Sequence, residues 1–108
     1  MVFFIVKKES DGNYYVTLKA KNGGVILNSQ KHLSKSDCKN GIATIRANAT
    51  DNLKYDYKKT FDGKFYFRLK SALGEVLGNS KLYESAERRN AGIEAVRKIA
   101  PLANVIDY

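Results

Sequence analysis

Asp11–Leu18 reads DGNYYVTL, and Asp62–Leu69 reads DGKFYFRL, the same plan fifty-one residues later. When the chain is slid along itself by that offset without a gap, 18 of the 51 pairs from Lys7/Lys58 to Tyr57/Tyr108 are identical. They include Gly12/Gly63, Tyr15/Tyr66, Gly23/Gly74, Asn28-Ser29/Asn79-Ser80, Ser34/Ser85, Gly41-Ile42/Gly92-Ile93 and Arg46/Arg97. Self-similarity at one fixed period marks a tandem duplication, which has to be recognised before elements are assigned. Residues 1–51 form one repeat, and 52–108 form the second with a short extra strand. At 108 residues, each repeat alone is near the lower limit for an independent core, so a single domain with a shared core or sheet is expected.

Within the first repeat the pattern changes period once. Phe3–Lys8 is rich in strand formers and meets an Asp-Gly turn. From Tyr14 to Lys21 the residues Tyr14, Val16, Leu18 and Ala20 alternate with Tyr15, Thr17, Lys19 and Lys21, as in a strand with one buried face. Asn22-Gly23-Gly24 turns the chain into a third strand, Val25 to Asn28. Ser34 then caps a helix of about four turns whose apolar stripe holds Cys38, Gly41, Ile42, Ile45 and Ala49. A glycine inside that stripe costs about 1 kcal/mol of helix propensity against alanine. Its recurrence at Gly92 predicts close backbone approach, either to the sheet or to the other helix.

The second repeat follows the same order: strands at 54–59, 65–71 and 76–79, then a helix capped by Ser85 and stopped near Pro101. Ile106-Asp107-Tyr108 aligns with Tyr55-Asp56-Tyr57, so the tail is expected to add a strand. Hairpin-linked strands followed by a helix, twice, give the α+β class: two tandem β-β-β-α repeats with pseudo-two-fold symmetry, an antiparallel sheet and two helices on one face. The motif D-G-x-[YF]-Y-x-x-L-K, a glycine turn with N-S, and a helix containing G-I-x-x-[IV]-R resembles the YegP-like family of small bacterial proteins, tandem copies of a domain of about fifty residues. The resemblance covers essentially the whole chain, with departures at Gly24/Glu75, Cys38/Arg89 and His32/Tyr83. It implies the fold and no activity, cofactor or substrate.

The composition narrows the function classes. The apolar run Val2–Val6 is far too short to span a membrane, and a cytoplasmic protein with no membrane partner is expected. One cysteine makes no internal disulfide. A formal charge of +8 favours nucleic acid or acidic partners, although the lysines are dispersed. Cys38 and His32 are the only thiol and imidazole, and no acid stands near them to orient a dyad, so Cys38 reads as a buried structural thiol. One histidine and one cysteine make no zinc site, and no phosphate-cradling loop leads into a helix. No catalytic residue, cofactor or metal is expected, and the protein reads as a non-enzymatic binding or interaction domain, monomeric or homodimeric.

Most residues repeated in both halves are those each half needs to fold. Asn28-Ser29 and Asn79-Ser80 are expected to bond the backbone where the third strand gives way to the helix, and the stems of Arg46 and Arg97 to cover core. The candidate functional surface is the outward face of the second strands: Tyr15, Thr17, Lys19, Lys21, Tyr66, Arg68 and Lys70. Rings interleaved with cations suit single-stranded RNA or DNA, with bases on rings and phosphates on cations. The same face also suits a protein partner, a second copy, or plain solvent.

Overall fold

Each alternating segment became a strand and each 3.6-residue segment a helix in a computed structural model, which describes residues 2–107. The order is β1 (Phe3–Lys8), β2 (Tyr14–Lys19), β3 (Val25–Ser29), α1 (Lys35–Ala49), β4 (Tyr55–Lys59), β5 (Phe65–Lys70), β6 (Val76–Asn79), α2 (Ala86–Ile99) and β7 (Asn104–Asp107). A 3-10 turn over Asn52–Lys54, capped by the Asp51 carboxylate, precedes β4, so that strand starts at Tyr55 and not at Lys54. The seven strands make one sheet in the order β4-β5-β6-β3-β2-β1-β7. The halves meet where β3 pairs with β6, Asn28 opposite Asn79 and Ser29 opposite Gly78.

The sheet is mixed, not antiparallel as expected: β7 runs parallel to β1, with Ile5 opposite Ile106. The reason is competition for one place. After α1 the chain reaches the outer edge beside β5 and forms β4 there. After α2 it reaches the opposite edge, where β1 already holds the place beside β2. The tail is displaced outward by one strand and keeps its direction. Tyr108, aligned with Tyr57, lies outside the described residues.

Positive φ at Gly12, Gly23, Gly63 and Gly74, between 84° and 90°, explains why these turns carry glycine in both repeats. Ser34 and Ser85 accept from the amides of Asp37 and Arg88 at 3.1 Å, capping both helices as read from the sequence. Val6, Val16, Leu18 and Leu27 from one half join Phe67, Leu69, Ile93 and Val96 from the other in one buried cluster. Both helices contribute to it, α1 through Cys38, Ile42, Ile45 and Ala49, so both pack on the same face of the sheet. Arg46 lies with its guanidinium 5.3 Å from the Phe4 ring and donates to the Ala103 carbonyl, fastening the segment before β7. Arg97 instead donates to both carboxylate oxygens of Glu94, at 3.0 and 2.8 Å.

The helix glycines admit aromatic rings from the links before the helices, and Gly92 also approaches the sheet at Phe67, as one of the two expectations had it. His32 and Tyr83, in the links between third strand and helix, exchange backbone hydrogen bonds with Tyr14 and Phe65. Their rings are thereby pressed onto the helices. A Cβ on Gly41 would stand 2.8 Å from His32 Cε1, and one on Gly92 would stand 2.8 Å from Tyr83 Cζ and 3.2 Å from Phe67 Cε2. The glycines exist to admit these rings. Helix propensity alone would make Gly92→Ala stabilising by about 1 kcal/mol, whereas overpacking costs about 1–3 kcal/mol. With Tyr83 held by its backbone bridge and stacked on Phe67, overpacking wins. Urea unfolding should show Gly92→Ala destabilised by up to about 2 kcal/mol, and a Tyr83→Ala background should remove most of that cost. A more stable Gly92→Ala protein would show that the ring is not the constraint.

Candidate binding face

The strand registers sort every residue onto one of two faces. One face is covered by α1 and α2. On the other, Tyr15, Thr17 and Lys19 of β2 stand with Tyr66, Arg68 and Lys70 of β5, so six of the seven candidate residues share an uncovered face of one sheet. Lys21 does not join them: β2 ends at Lys19, and Lys21 lies in the exposed turn that follows. The two sets are separated by β3 and β6, which bring residues that the pattern of second strands did not single out.

One line of paired residues crosses all seven strands on this face. It runs from Ile106 through Ile5 and Thr17 to Asn28, then across the seam to Asn79, Arg68 and Asp56. Chemistry grades along it from apolar at β7 and β1, through amides at the centre, to charge at β5 and β4. Asn28 Oδ1 accepts from Thr17 Oγ1 at 3.4 Å, and Asn79 Oδ1 accepts from Arg68 Nε at 3.2 Å. The repeated Asn-Ser pair therefore divides its labour. Ser29 Oγ accepts from Val16 N and donates to Gln30 O, both at 2.8 Å, and Ser80 Oγ accepts from Phe67 N at 2.9 Å and donates to Lys81 O at 2.7 Å. The serines do the backbone work expected of the pair. The asparagines face outward at the centre of the open face.

The two halves of this face differ electrostatically. In the second half Lys70 Nζ is 3.2 Å from Asp56 Oδ1, and Arg68 lies 5.8 Å from the Tyr66 ring centre while bonded to Asn79. In the first half Lys7 and Lys19 flank a groove of about 360 Å³, lined also by Ile5, Glu9, Tyr15, Thr17 and Val25. Neither lysine has a carboxylate within ion-pair distance among the described residues. Tyr15 is braced by its hydroxyl, which donates to Asp11 Oδ2 at 3.0 Å, while Asp11 Oδ1 accepts from the Asn13 amide at 2.9 Å. These bonds, the Asn13 amide first and the Tyr15 hydroxyl after it, hold the Asp11 carboxyl below its ordinary range, and the same contact raises the Tyr15 hydroxyl.

Cys38 is fully buried, and burial, then the Asp37 and Asp107 carboxylates, push its thiol above the ordinary value. Those are the conditions of an unreactive thiol, not of a nucleophile. Among the described residues no three His, Cys, Asp or Glu side chains gather closely enough to hold a metal ion, and no helix is long and apolar enough to cross a membrane.

The family described as "Domain of unknown function (DUF1508)" matches this chain twice, over residues 9–56 and 62–107. The chain is 39% identical over 95 residues to the UPF0339 protein YegP of Escherichia coli (strain K12), covering 88% of this chain and 86% of that protein. It is 38% identical over 104 residues to a UPF0339 protein in the ptx operon 5' region of Stutzerimonas stutzeri, covering 96% of this chain and 94% of that one. The solution NMR structure of YegP from E. coli, titled a protein of unknown function, superposes with a TM-score of 0.92 at 37% identity, covering 98% of this chain and 91% of that one. A UPF0339 protein from Shewanella oneidensis gives the same TM-score at 31% identity, with 98% and 90% covered.

Two measurements check the electrostatics. Ellman's reagent should modify Cys38 in the folded protein at least roughly a hundredfold more slowly than in denaturant, the factor set by an opening free energy of about 3 kcal/mol. In a carboxyl NMR titration Asp11 should ionise below the ordinary aspartate range, and Tyr15→Phe should move it part of the way back. Because the folded pKa is lowered, the contribution of Asp11 to stability is complete above the ordinary aspartate pKa and is lost as pH falls through the lowered one.

Proposed function

The chain belongs to the DUF1508 family, and for this member we propose a non-enzymatic binding domain that acts through the uncovered face of its sheet, with single-stranded RNA or DNA as ligand. The observation that carries the reading is the contrast between the two faces: one packs both helices, and the other sets Tyr15 and Tyr66 among Lys7, Lys19, Arg68 and the amides of Asn28 and Asn79. A tyrosine ring offers a stacking surface to any base, worth about 1–3 kcal/mol per base. Lys7 and Lys19 beside it, without carboxylate partners among the described residues, take the phosphates. The +8 charge supplies long-range attraction without sequence preference.

The duplication gives this face its form. In this reading the halves are related by an approximate two-fold axis at the β3/β6 seam. Support comes from features that recur at the same offset in the same structural role: Ser29 and Ser80 at the strand ends, His32 and Tyr83 against the helix glycines, and Ser34 and Ser85 at the caps. A lone, buried cysteine is compatible with the cytoplasm, where single-stranded RNA is met. The raised thiol of Cys38 and the scatter of the carboxylates support a role without catalysis.

Fluorescence anisotropy with labelled single-stranded RNA and DNA tests the reading. Affinity should fall about tenfold between ~50 and ~200 mM salt, as two or three phosphate contacts require. Absence of binding at low salt would remove the nucleic-acid reading and leave the face as a contact for protein, which pull-down and oligomeric-state measurements would then address.

A further inference from the structure

We infer that the open face carries one nucleotide site and not two, and that it is the groove of the first half. There a base of a single strand lies on Ile5, Thr17 and Val25 beside Tyr15, with its flanking phosphates toward Lys7 at one end of the groove and Lys19 at the other. The inference rests on the nucleic-acid reading above and gives it a location.

A duplicated sheet would be expected to carry a duplicated site. At the fifty-one-residue offset the groove residues Ile5, Thr17 and Lys19 correspond to Asp56, Arg68 and Lys70. Two of these three positions have changed chemistry, and the changes close the second copy. Asp56 takes the place of the apolar floor and holds Lys70 at 3.2 Å, so one of the two cations that would meet a phosphate is neutralised, while Lys58, the counterpart of Lys7, keeps no carboxylate partner among the described residues. Arg68 stands with its guanidinium 5.8 Å from the Tyr66 ring centre and is bonded to Asn79 at 3.2 Å, so a cation held in place already stands beside the ring that would receive a base. A ligand entering there must break an ion pair and displace a guanidinium.

The first copy has none of these obstructions. Its floor is uncharged, and Ile106 of β7, opposite Ile5, extends the apolar strip beyond β1. Lys7 and Lys19 stand on its rims without carboxylate partners among the described residues. Tyr15 is fixed at the wall by Asp11, which lowers the entropy lost when a base stacks on it. Glu9, at the end near the β1–β2 turn, presents an acceptor to a base amine or sugar hydroxyl. The volume of about 360 Å³ lies at the lower end of the range of small-ligand sites, roughly 300–1,000 Å³. An apolar floor, one ring and two cations match a flat ring carrying an anionic group. Asn28, next in line toward the seam, continues the polar path for the neighbouring nucleotide.

The test transplants the closed half into the open one. The double variant Ile5→Asp, Thr17→Arg puts the residues of the second half into the groove and leaves the net charge unchanged, so lost binding reports the groove and not the overall field. Its affinity for a uridine octamer RNA should fall about tenfold, and Tyr15→Ala should fall similarly, within the about 1–3 kcal/mol measured for one stacked base. Tyr66→Ala, Arg68→Ala should lose less than either. Circular dichroism checks the fold, and should the transplant not fold, Tyr15→Ala and Lys7→Ala, Lys19→Ala carry the same comparison. A larger loss in the Tyr66/Arg68 variant, or undiminished affinity in the groove variants, overturns the location while the face reading stands. Uridine monophosphate binding as tightly as the octamer overturns the single strand as occupant. An unmodified protein that binds no octamer at low salt overturns both readings.

Discussion

The centre of the sheet has room for one leucine where the duplication would place two. Leu27 of β3 corresponds by the repeat to Gly78 of β6, which pairs with Ser29 at the seam and lies against the Leu27 side chain. A Cβ on Gly78 would lie 2.9 Å from the Asn28 carbonyl oxygen and 2.9 Å from Leu27 Cγ. The first half fills that place with Leu27, and the second leaves it empty at Gly78. Joined, they must choose, and the second copy yields. The continuous sheet, the shared core beneath it and the unbroken face above it all follow from the backbone contact that this glycine allows.

Once the halves are joined, the free positions stop being equivalent. The tail after α2 finds its edge place taken by β1 and adds outside it in parallel, which widens the apolar end of the open face through Ile106. The other edge strand, β4, gains no such neighbour. There Arg89 lies 5.1 Å from the Tyr57 ring and 5.3 Å from the Phe65 ring and donates to the Lys58 carbonyl, covering the border where Cys38 is buried in the first half. One half turns its open face into an apolar groove with free lysines. The other carries an ion pair and a guanidinium held beside its tyrosine ring. Duplication followed by such divergence fits a scaffold kept twice for stability and a surface used once for recognition.

Much of this was legible in the sequence because turns, caps and alternation are local. Asp11-Gly12 and Asp62-Gly63 specify turns through φ, Ser34 and Ser85 specify helix starts through one hydrogen bond each, and Tyr14–Lys19 declares its faces by period two. The parallel tail was not legible, since its direction depends on which strand reaches the edge first in space. Nor was the split of Asn-Ser into a structural serine and an outward asparagine, because both residue types serve turns equally well in isolation. The asymmetry of the two open faces was present at the fifty-one-residue offset as Ile5/Asp56 and Thr17/Arg68. Its meaning needed the pairings, for only the registers place Asp56 beside Arg68 and Lys70, while Lys19, the counterpart of Lys70, has no carboxylate partner among the described residues.

The most direct measurement of the central claim, that recognition belongs to the uncovered face, is amide chemical-shift mapping of labelled protein as single-stranded RNA is added. The account predicts that shifts concentrate on β1, β2 and β3 around Ile5, Tyr15, Thr17, Lys19 and Asn28, with the outward surfaces of α1 and α2 unmoved. Shifts gathered on the helices, or on the turns at Phe61 and Leu73, would contradict it.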